Sequence, residues 1–341
     1  MRFTTLRAAA ACSVLTIGFT ALASGPAFAA ADAAAPRWTQ LSPRTHPTPR
    51  GGHAAAYDPL SQRLIVFGGL AGATQLADTW AWDGTNWSAV ATTGAPPPRT
   101  RAAFAYDEVT HTLVLFGGFN GTDGYLGDTW VFDGPTNTWT EMHPEHAPQA
   151  GTGPTGFTDP ATGHAVVFGG FNKFASPGQQ YQNATWRWNG ADWEPVENGD
   201  PPGARSSTVI VPDPLRHEAV MFGGLANLYV FDTDVWDGAQ WTRLDLATQP
   251  VLRFDAAAAF HPGLGQAYLF GGFGNGRYLR DTWSWDGAAW TMVPTVVNRV
   301  IVAPLQRENH SMTYFPPTGR IILFGGDNRT TEFSDTWSFG G

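Results

Sequence analysis

Three acidic residues are the candidates for acid–base chemistry in this sequence. Asp255 and Glu308 each follow a recurrent arginine within two positions, and Asp327 directly follows a Gly-Gly pair. General acid–base catalysis requires carboxyl groups at a suitable separation, which these three could supply if the fold brings them together. They are therefore the predicted catalytic candidates, although no motif in the sequence compels catalysis.

A second set of residues is suited to ligand binding. In six successive repeats, the position two residues after the recurrent arginine varies, and it holds Gly52, Arg101, Gly153, Ser207, Asp255 and Asn309. Variation at one position of a repeated scaffold is typical of a binding site, and aromatic faces beside polar groups suit a sugar-like or amphipathic ligand. The predicted ligand-binding residues are Arg101, Asp255, Asn309, Phe119, Phe171, Phe273 and Asp327.

Histidines and arginines also recur at equivalent positions. His53 and His310 are weak metal candidates, because two histidines alone do not make a site; we expect no metal or other cofactor. An arginine ring could bind an anion, but a residue repeated in nearly every unit more commonly supports the fold. That series comprises Arg50, Arg99, Arg205, Arg253 and Arg307, with Gly151 in the remaining repeat.

An internal repeat determines where these residues lie. An apolar run that ends in Phe-Gly-Gly occurs six times, at intervals of 48 to 54 residues, and a Trp-rich Asp-Thr-Trp signature follows most copies. In the first repeat, His53–Tyr57, Arg63–Phe67, Thr79–Trp82 and a segment containing Trp87 are predicted as strands, with a tight turn at Asp83-Gly84. Repeats of this length are typical of propellers.

The predicted fold is all-β: a six-bladed propeller with four antiparallel strands per blade. The last repeat lacks its fourth strand, and Arg37–Leu41 matches that missing strand, so we expect the N-terminal strand to close the last blade. Seven blades or closure through a dimer are the alternatives. The loops between blades, and those between the second and third strands, share one face, which we call the upper face. The candidate residues cluster there.

The repeats resemble the kelch family, secreted bacterial type, whose propellers include the central domain of galactose oxidase. Pro49, Arg50 and His53 match the start of the kelch repeat, and the Gly-Gly pairs and closing tryptophans match the rest. The resemblance implies roles as different as adaptors, copper enzymes and sugar mutarotases. A galactose-oxidase-type copper enzyme needs a Tyr–Cys crosslink, and the only cysteine, Cys12, lies in the predicted leader.

Composition sets the remaining limits. The 341 residues carry a net charge of −9 without a basic cluster, which argues against nucleic-acid binding. Residues 1–29 resemble a secretory signal peptide that ends in Ala27-Phe28-Ala29. We therefore expect a linker at 30–36, one domain over 37–341, secretion, no membrane span after cleavage, and a monomer.

These features favour a binding protein for a carbohydrate or a protein partner on the upper face. The alternative is an extracellular enzyme such as a sugar mutarotase, isomerase or cyclase with acid–base residues on that face. A structural envelope protein without a small ligand is a third possibility. Nothing in the sequence decides among the three.

Overall fold

The computed structural model describes residues 36–197, 199–228, 230–297 and 300–341. The predicted signal peptide at 1–29 and nearly all of the predicted linker lie outside the described residues. None of the described helices has the length and hydropathy of a membrane-spanning segment. The two that occur are single 3-10 turns, Pro262–Leu264 and Pro316–Thr318.

Strand β1 comes first in the chain and belongs to the last blade. The strands of the first half, in chain order, are β1 (Arg37–Leu41), then in blade one β2 (Ala54–Asp58), β3 (Arg63–Ala71), β4 (Thr74–Trp82) and β5 (Trp87–Ala89), in blade two β6 (Ala103–Asp107), β7 (Thr112–Phe116), β8 (Phe119–Asn120), β9 (Gly124–Tyr125), β10 (Thr129–Asp133) and β11 (Thr138–Met142), and in blade three β12 (Thr155–Thr158), β13 (Ala165–Phe168), β14 (Thr185–Trp188) and β15 (Trp193–Pro195).

The second half repeats the pattern with additional short hairpins. Its strands are, in blade four, β16 (Val209–Asp213), β17 (Glu218–Phe222), β18 (Thr233–Trp236) and β19 (Trp241–Leu244), in blade five β20 (Ala257–His261), β21 (Gln266–Phe270), β22 (Phe273–Gly274), β23 (Arg277–Tyr278), β24 (Thr282–Trp285) and β25 (Trp290–Val293), then β26 (Val296–Val297) and β27 (Val300–Ile301), and in blade six β28 (Ser311–Phe315), β29 (Arg320–Phe324), β30 (Asp327–Asn328), β31 (Thr331–Glu332) and β32 (Thr336–Gly340).

These strands form six four-stranded antiparallel sheets, as the repeat predicts. Most second strands, such as Gln266–Phe270, are buried from their second residue onward. Both faces of such a strand must be apolar, because each blade packs between two neighbours. The described core accordingly divides into six apolar clusters, one at each junction between adjacent blades.

Blade one differs in one respect from the prediction. Its second and third strands continue past Gly68 through a β-bulge and pair as far as Ala71 and Thr74. The sequence places few residues between these strands, so the chain can close them with a tight hairpin. Longer insertions at the equivalent point of blades two and three form walls above the channel instead.

The propeller is closed as predicted. Strand β1 pairs with β32 from Arg37 opposite Gly340 to Leu41 opposite Thr336. The Trp38 indole nitrogen donates a 3.0 Å hydrogen bond to the Thr282 hydroxyl of blade five. Each of the other five blades makes the same Trp–Thr bond to its neighbour, so the N-terminal strand occupies a regular position in the ring.

The recurrent arginines stabilise the blades, which confirms the structural interpretation of this series. Arg253, for example, is buried, makes a two-point ion pair with Asp281 at 2.7–2.8 Å and donates to the Gly271 carbonyl. The other four arginines pair with an aspartate in the same way. Blade three has Gly151 and Ala184 at the two positions, so arginine and aspartate are missing together.

Candidate functional site

A ring of backbone hydrogen bonds surrounds the channel on the upper face. At the variable position of each blade, the amide nitrogen donates to the carbonyl of the preceding blade at 2.7–3.1 Å, and six such bonds close the circle. All six residues have left-handed φ values between 51° and 65°. Glycine, asparagine and aspartate tolerate this conformation best, which explains most of the residue types: Gly52, Arg101, Gly153, Ser207, Asp255 and Asn309.

One ion pair crosses this ring. Arg101 and Asp255 belong to opposite blades, and the guanidinium Nη2 lies 2.8 Å from the Asp255 Oδ2. The Asp255 side chain is only 6% exposed, whereas that of Arg101 is 34% exposed. The two predicted binding residues therefore engage each other and form a floor across the channel.

Above this floor lies a cavity of about 940 Å³, here called the upper cavity. Five of the seven predicted ligand-binding residues line it: Arg101, Phe119, Phe171, Asn309 and Asp327. Glu308, a predicted catalytic candidate, also lines it. Asp255 lies just below, along the channel. The structure thus brings together all three acidic candidates.

One wall of the upper cavity is aromatic. Phe119 packs edge-on against Tyr125 at 5.3 Å between ring centroids, and Tyr125 meets Phe171 at 6.1 Å. Phe171 in turn packs on Tyr181 at 4.7 Å. The two tyrosines belong to the loops of blades two and three. Each stands three positions before the Asp-Thr-Trp motif or its equivalent, as Tyr278 does in blade five, so counting back from that motif would have found them.

The opposite wall is acidic and polar. Glu308 and Asp327 are paired across an antiparallel bridge, with both backbone hydrogen bonds at 2.9 Å. The Asn309 side-chain Nδ2 donates to the Asp327 carboxylate at 3.0 Å. A Cβ atom at Gly51 would collide with that carboxylate, so the missing side chain at Gly51 leaves room for Asp327.

The electrostatics of this wall are unusual. Burial raises the pKa of Glu308 to about 8, and the negative charges of Asp255 and Asp327 act in the same direction. Burial also raises the pKa of Asp327, although the bond from Asn309 and the charge of Arg101 oppose the shift. Glu308 therefore carries a proton at neutral pH and can donate a hydrogen bond or a proton to a bound molecule.

This protonation predicts a pH-dependent stability. Folded Glu308 holds a proton between about pH 4.5 and about pH 8, where the unfolded chain has released it. Stability should therefore fall as the pH rises through this window. Glu308→Gln, which cannot titrate, should flatten that fall in urea unfolding measured at several pH values. An unchanged slope in Glu308→Gln would contradict a raised pKa; Glu197→Gln, at an exposed glutamate, is the control.

Phe273 lies elsewhere. Although it occupies the same repeat position as Phe171, it packs within blade five against Phe254 and Tyr278, at 5.7 and 5.1 Å between ring centroids. It is not among the residues that line the upper cavity.

The two histidines are buried in neighbouring blades. The His53 Nε2 lies 2.9 Å from the Ser311 hydroxyl, and burial, then the charge of Arg50, lowers the pKa of His53 to about 3. Burial also lowers the pKa of His310. Among the described residues, no group of three or more histidine, cysteine, aspartate or glutamate side chains is placed to hold a metal ion.

Comparison with known proteins identifies the family. A family model described as the KLHDC2/KLHL20/DRC7 Kelch-repeats domain matches residues 27–224 and 160–340. The chain belongs to the Kelch-repeat family. Kelch-repeat propellers generally mediate protein interactions. No curated protein matches the sequence.

Solved structures confirm the Kelch-repeat fold without indicating a ligand. The structure described as "Structure of YjhT" superposes with a TM-score of 0.67 at 17% sequence identity, over 86% of this chain and 95% of that chain. In all, 492 chains of solved structures match. At such identity the likeness shows the fold alone, so the function of this Kelch-repeat chain must be argued from its upper cavity.

Proposed function

We propose that this Kelch-repeat propeller is a secreted, monomeric binding protein and that its upper cavity binds a carbohydrate. The observation that carries the proposal is the pairing of an aromatic wall with a hydrogen-bonding wall across one cavity. The predicted signal at residues 1–29 supports an extracellular role.

The two walls match the two sides of a sugar ring. The C–H face of a pyranose packs on aromatic rings such as Phe171 and Tyr181. Its hydroxyl groups can donate hydrogen bonds to the Asp327 carboxylate and accept them from the Asn309 side-chain amide. An aromatic wall alone would suit an apolar ligand, so the combination favours a molecule with one apolar and one hydroxylated side.

The size and shape of the cavity support a short oligosaccharide. Ligand pockets commonly measure about 300–1,000 Å³, and the upper cavity lies near the top of that range. The Arg101–Asp255 ion pair blocks the way into the channel, so a ligand enters from solvent and stops at the floor. A protein partner would approach the same face and is the alternative occupant.

Binding should depend on Phe171 and not on Phe273. We expect Phe171→Ala to weaken oligosaccharide binding roughly tenfold or more. The variant loses the apolar area that the ring buries and, in addition, about 0.5–1.5 kcal/mol of stacking. Isothermal titration with tetrasaccharides of glucose, mannose, galactose, N-acetylglucosamine and glucosamine measures this. Phe273→Ala is the matched control, since the same residue type stands at the same repeat position outside the cavity.

One outcome would contradict the role of the aromatic wall, and another would contradict carbohydrate binding itself. Equal losses in Phe171→Ala and Phe273→Ala would mean that the aromatic wall plays no specific role. Failure of all five tetrasaccharides to bind, with melting temperatures unchanged, would reject the carbohydrate and favour a protein partner on the upper face.

The protonated state of Glu308 favours a second candidate function, that of a sugar mutarotase or isomerase. Glu308 could protonate the ring oxygen of a reducing sugar while Asp327 accepts the proton of the anomeric hydroxyl. Magnetisation-exchange NMR on the same titration samples would detect faster anomer exchange. Acceleration that disappears in Glu308→Gln would favour the enzyme over the binding protein.

A further inference from the structure

We propose that the ligand of the upper cavity is an amino sugar whose protonated amine binds between Glu308 and Asp327. This proposal rests on carbohydrate binding in the same cavity and names the class of sugar. The backbones of these two residues form a direct antiparallel pair, so their side chains leave the same side of the ladder with Cβ atoms about 4.5–5.5 Å apart. Two carboxyl groups at that spacing can both accept hydrogen bonds from one ammonium.

The charges around this pair are not balanced. The only ion pair that Asp255 makes among the described residues is with Arg101, whose guanidinium is thereby engaged. Within the same described part of the chain, neither Glu308 nor Asp327 forms an ion pair, and the Glu308 Oε2 is buried without a hydrogen-bond partner. A bound cation would supply the missing positive charge and the missing donor.

The charged groups near Glu308 are mostly acidic. Asp255 and Asp327 act on it as negative charges and Arg101 as a positive one. Burial, then the charges of Glu308 and Asp327, raise the pKa of the nearby Tyr278 phenol, and the charge of Arg329 opposes that shift. Burial raises the pKa values of Glu308 and Asp327, and the negative charge of Asp255 adds to both shifts. Arg329 and Glu332 also line the upper cavity, so an anionic ligand would face four carboxyl groups and two guanidiniums, one of them engaged with Asp255, which disfavours a sugar acid.

Amine binding should release protons. The empty site holds a proton on Glu308, and an ammonium beside it favours the ionised carboxylate. Titration at about pH 6, where amines are protonated, in buffers of different ionisation enthalpy measures the number of protons exchanged. We expect net release for the glucosamine tetramer and none for the N-acetylglucosamine tetramer, which has the same skeleton without the charge.

Binding affinity should also depend on whether the amine of the sugar is free or acetylated. We expect the glucosamine tetramer to bind at least tenfold more tightly than the N-acetylated tetramer. Glu308→Gln and Asp327→Asn should each remove most of that difference, so that the two tetramers bind a given variant with similar affinity. Glu197→Gln, an exposed glutamate outside the cavity, controls for the change in net charge, and melting curves confirm that the variants fold.

The outcomes separate this proposal from carbohydrate binding itself. Equal affinity for the two tetramers, or equal proton exchange, would overturn the amino-sugar proposal and leave carbohydrate binding intact. Binding of neither tetramer nor any neutral sugar would overturn both. Binding of tetralysine as tightly as the glucosamine tetramer would show that charge alone is recognised, which also overturns the amino sugar as the ligand.

Discussion

A chain that starts at Ser42 should lose its cooperative melting, whereas a chain that starts at Arg37 should keep it. Strand β1 supplies the fourth strand of blade six through five paired residues. Trp38 is buried against Phe270 and Phe339, and loss of such a tryptophan alone costs about 3–5 kcal/mol. That is a large part of the roughly 5–15 kcal/mol that stabilises a typical domain.

Peptide complementation makes this test more specific. A synthetic peptide of residues 37–41, added to the chain that starts at Ser42, should restore part of the melting transition by pairing with the exposed edge of β32. The same peptide with Trp38→Ala should not, because it lacks the indole that packs at the junction and bonds Thr282. Unchanged melting of the shortened chain without peptide would refute closure by the N-terminal strand.

The second large effect concerns the buried arginines. Arg253→Ala should destabilise the chain by about 3–5 kcal/mol, because the change leaves the carboxylate of Asp281, which is 24% exposed, without its partner. The double variant with Asp281→Ala should cost less than the sum of the two single variants, by roughly 0.5–3 kcal/mol. Urea unfolding of the four chains measures this coupling.

Blade three provides a natural precedent for that double variant. Gly151 and Ala184 replace the arginine and the aspartate together, and the blade still forms four paired strands. Loss of one partner leaves a buried charge unpaired, whereas loss of both leaves only a smaller contact surface. Strictly additive costs in the Arg253 and Asp281 variants would mean that the ion pair contributes nothing beyond its separate contacts.

The fold was predictable because the same strand pattern occurs six times in the sequence. The Phe-Gly-Gly motif marks the end of the second strand of each blade. The match of Arg37–Leu41 to the fourth strands of other blades predicts that the N-terminal strand completes the last blade. The role of Thr282 was visible in the sequence only as part of a motif. Its hydrogen bond to Trp38 joins residues that are 244 positions apart, so packing of the whole ring had to be known first.

The site was predictable in part. Alignment of the variable position places Arg101 and Asp255 at the channel mouth, but their ion pair depends on the channel diameter, which no local pattern specifies. Phe171 and Phe273 occupy the same repeat position, but only Phe171 lines the upper cavity, because the loops around the two residues differ from blade to blade. Tyr125 has a counterpart in Tyr278 of blade five, which pairs with Phe273 as Tyr125 pairs with Phe119, but the alignment alone does not say which of the two faces the cavity.

The ring of six backbone hydrogen bonds has a consequence for how this mouth can diversify. Because main-chain atoms make all six bonds, the frame does not depend on which side chains it displays. Arg101, Ser207, Asp255 and Asn309 already carry side chains on this left-handed backbone, whereas a Cβ atom at Gly52 or Gly153 would also collide with the hydroxyl of Thr100 or Ser207. Exchange of Arg101 and Asp255 would reverse the direction of the charge pair without altering the frame. Related propellers can therefore acquire different ligands by changing side chains at positions of this ring while the backbone frame stays the same.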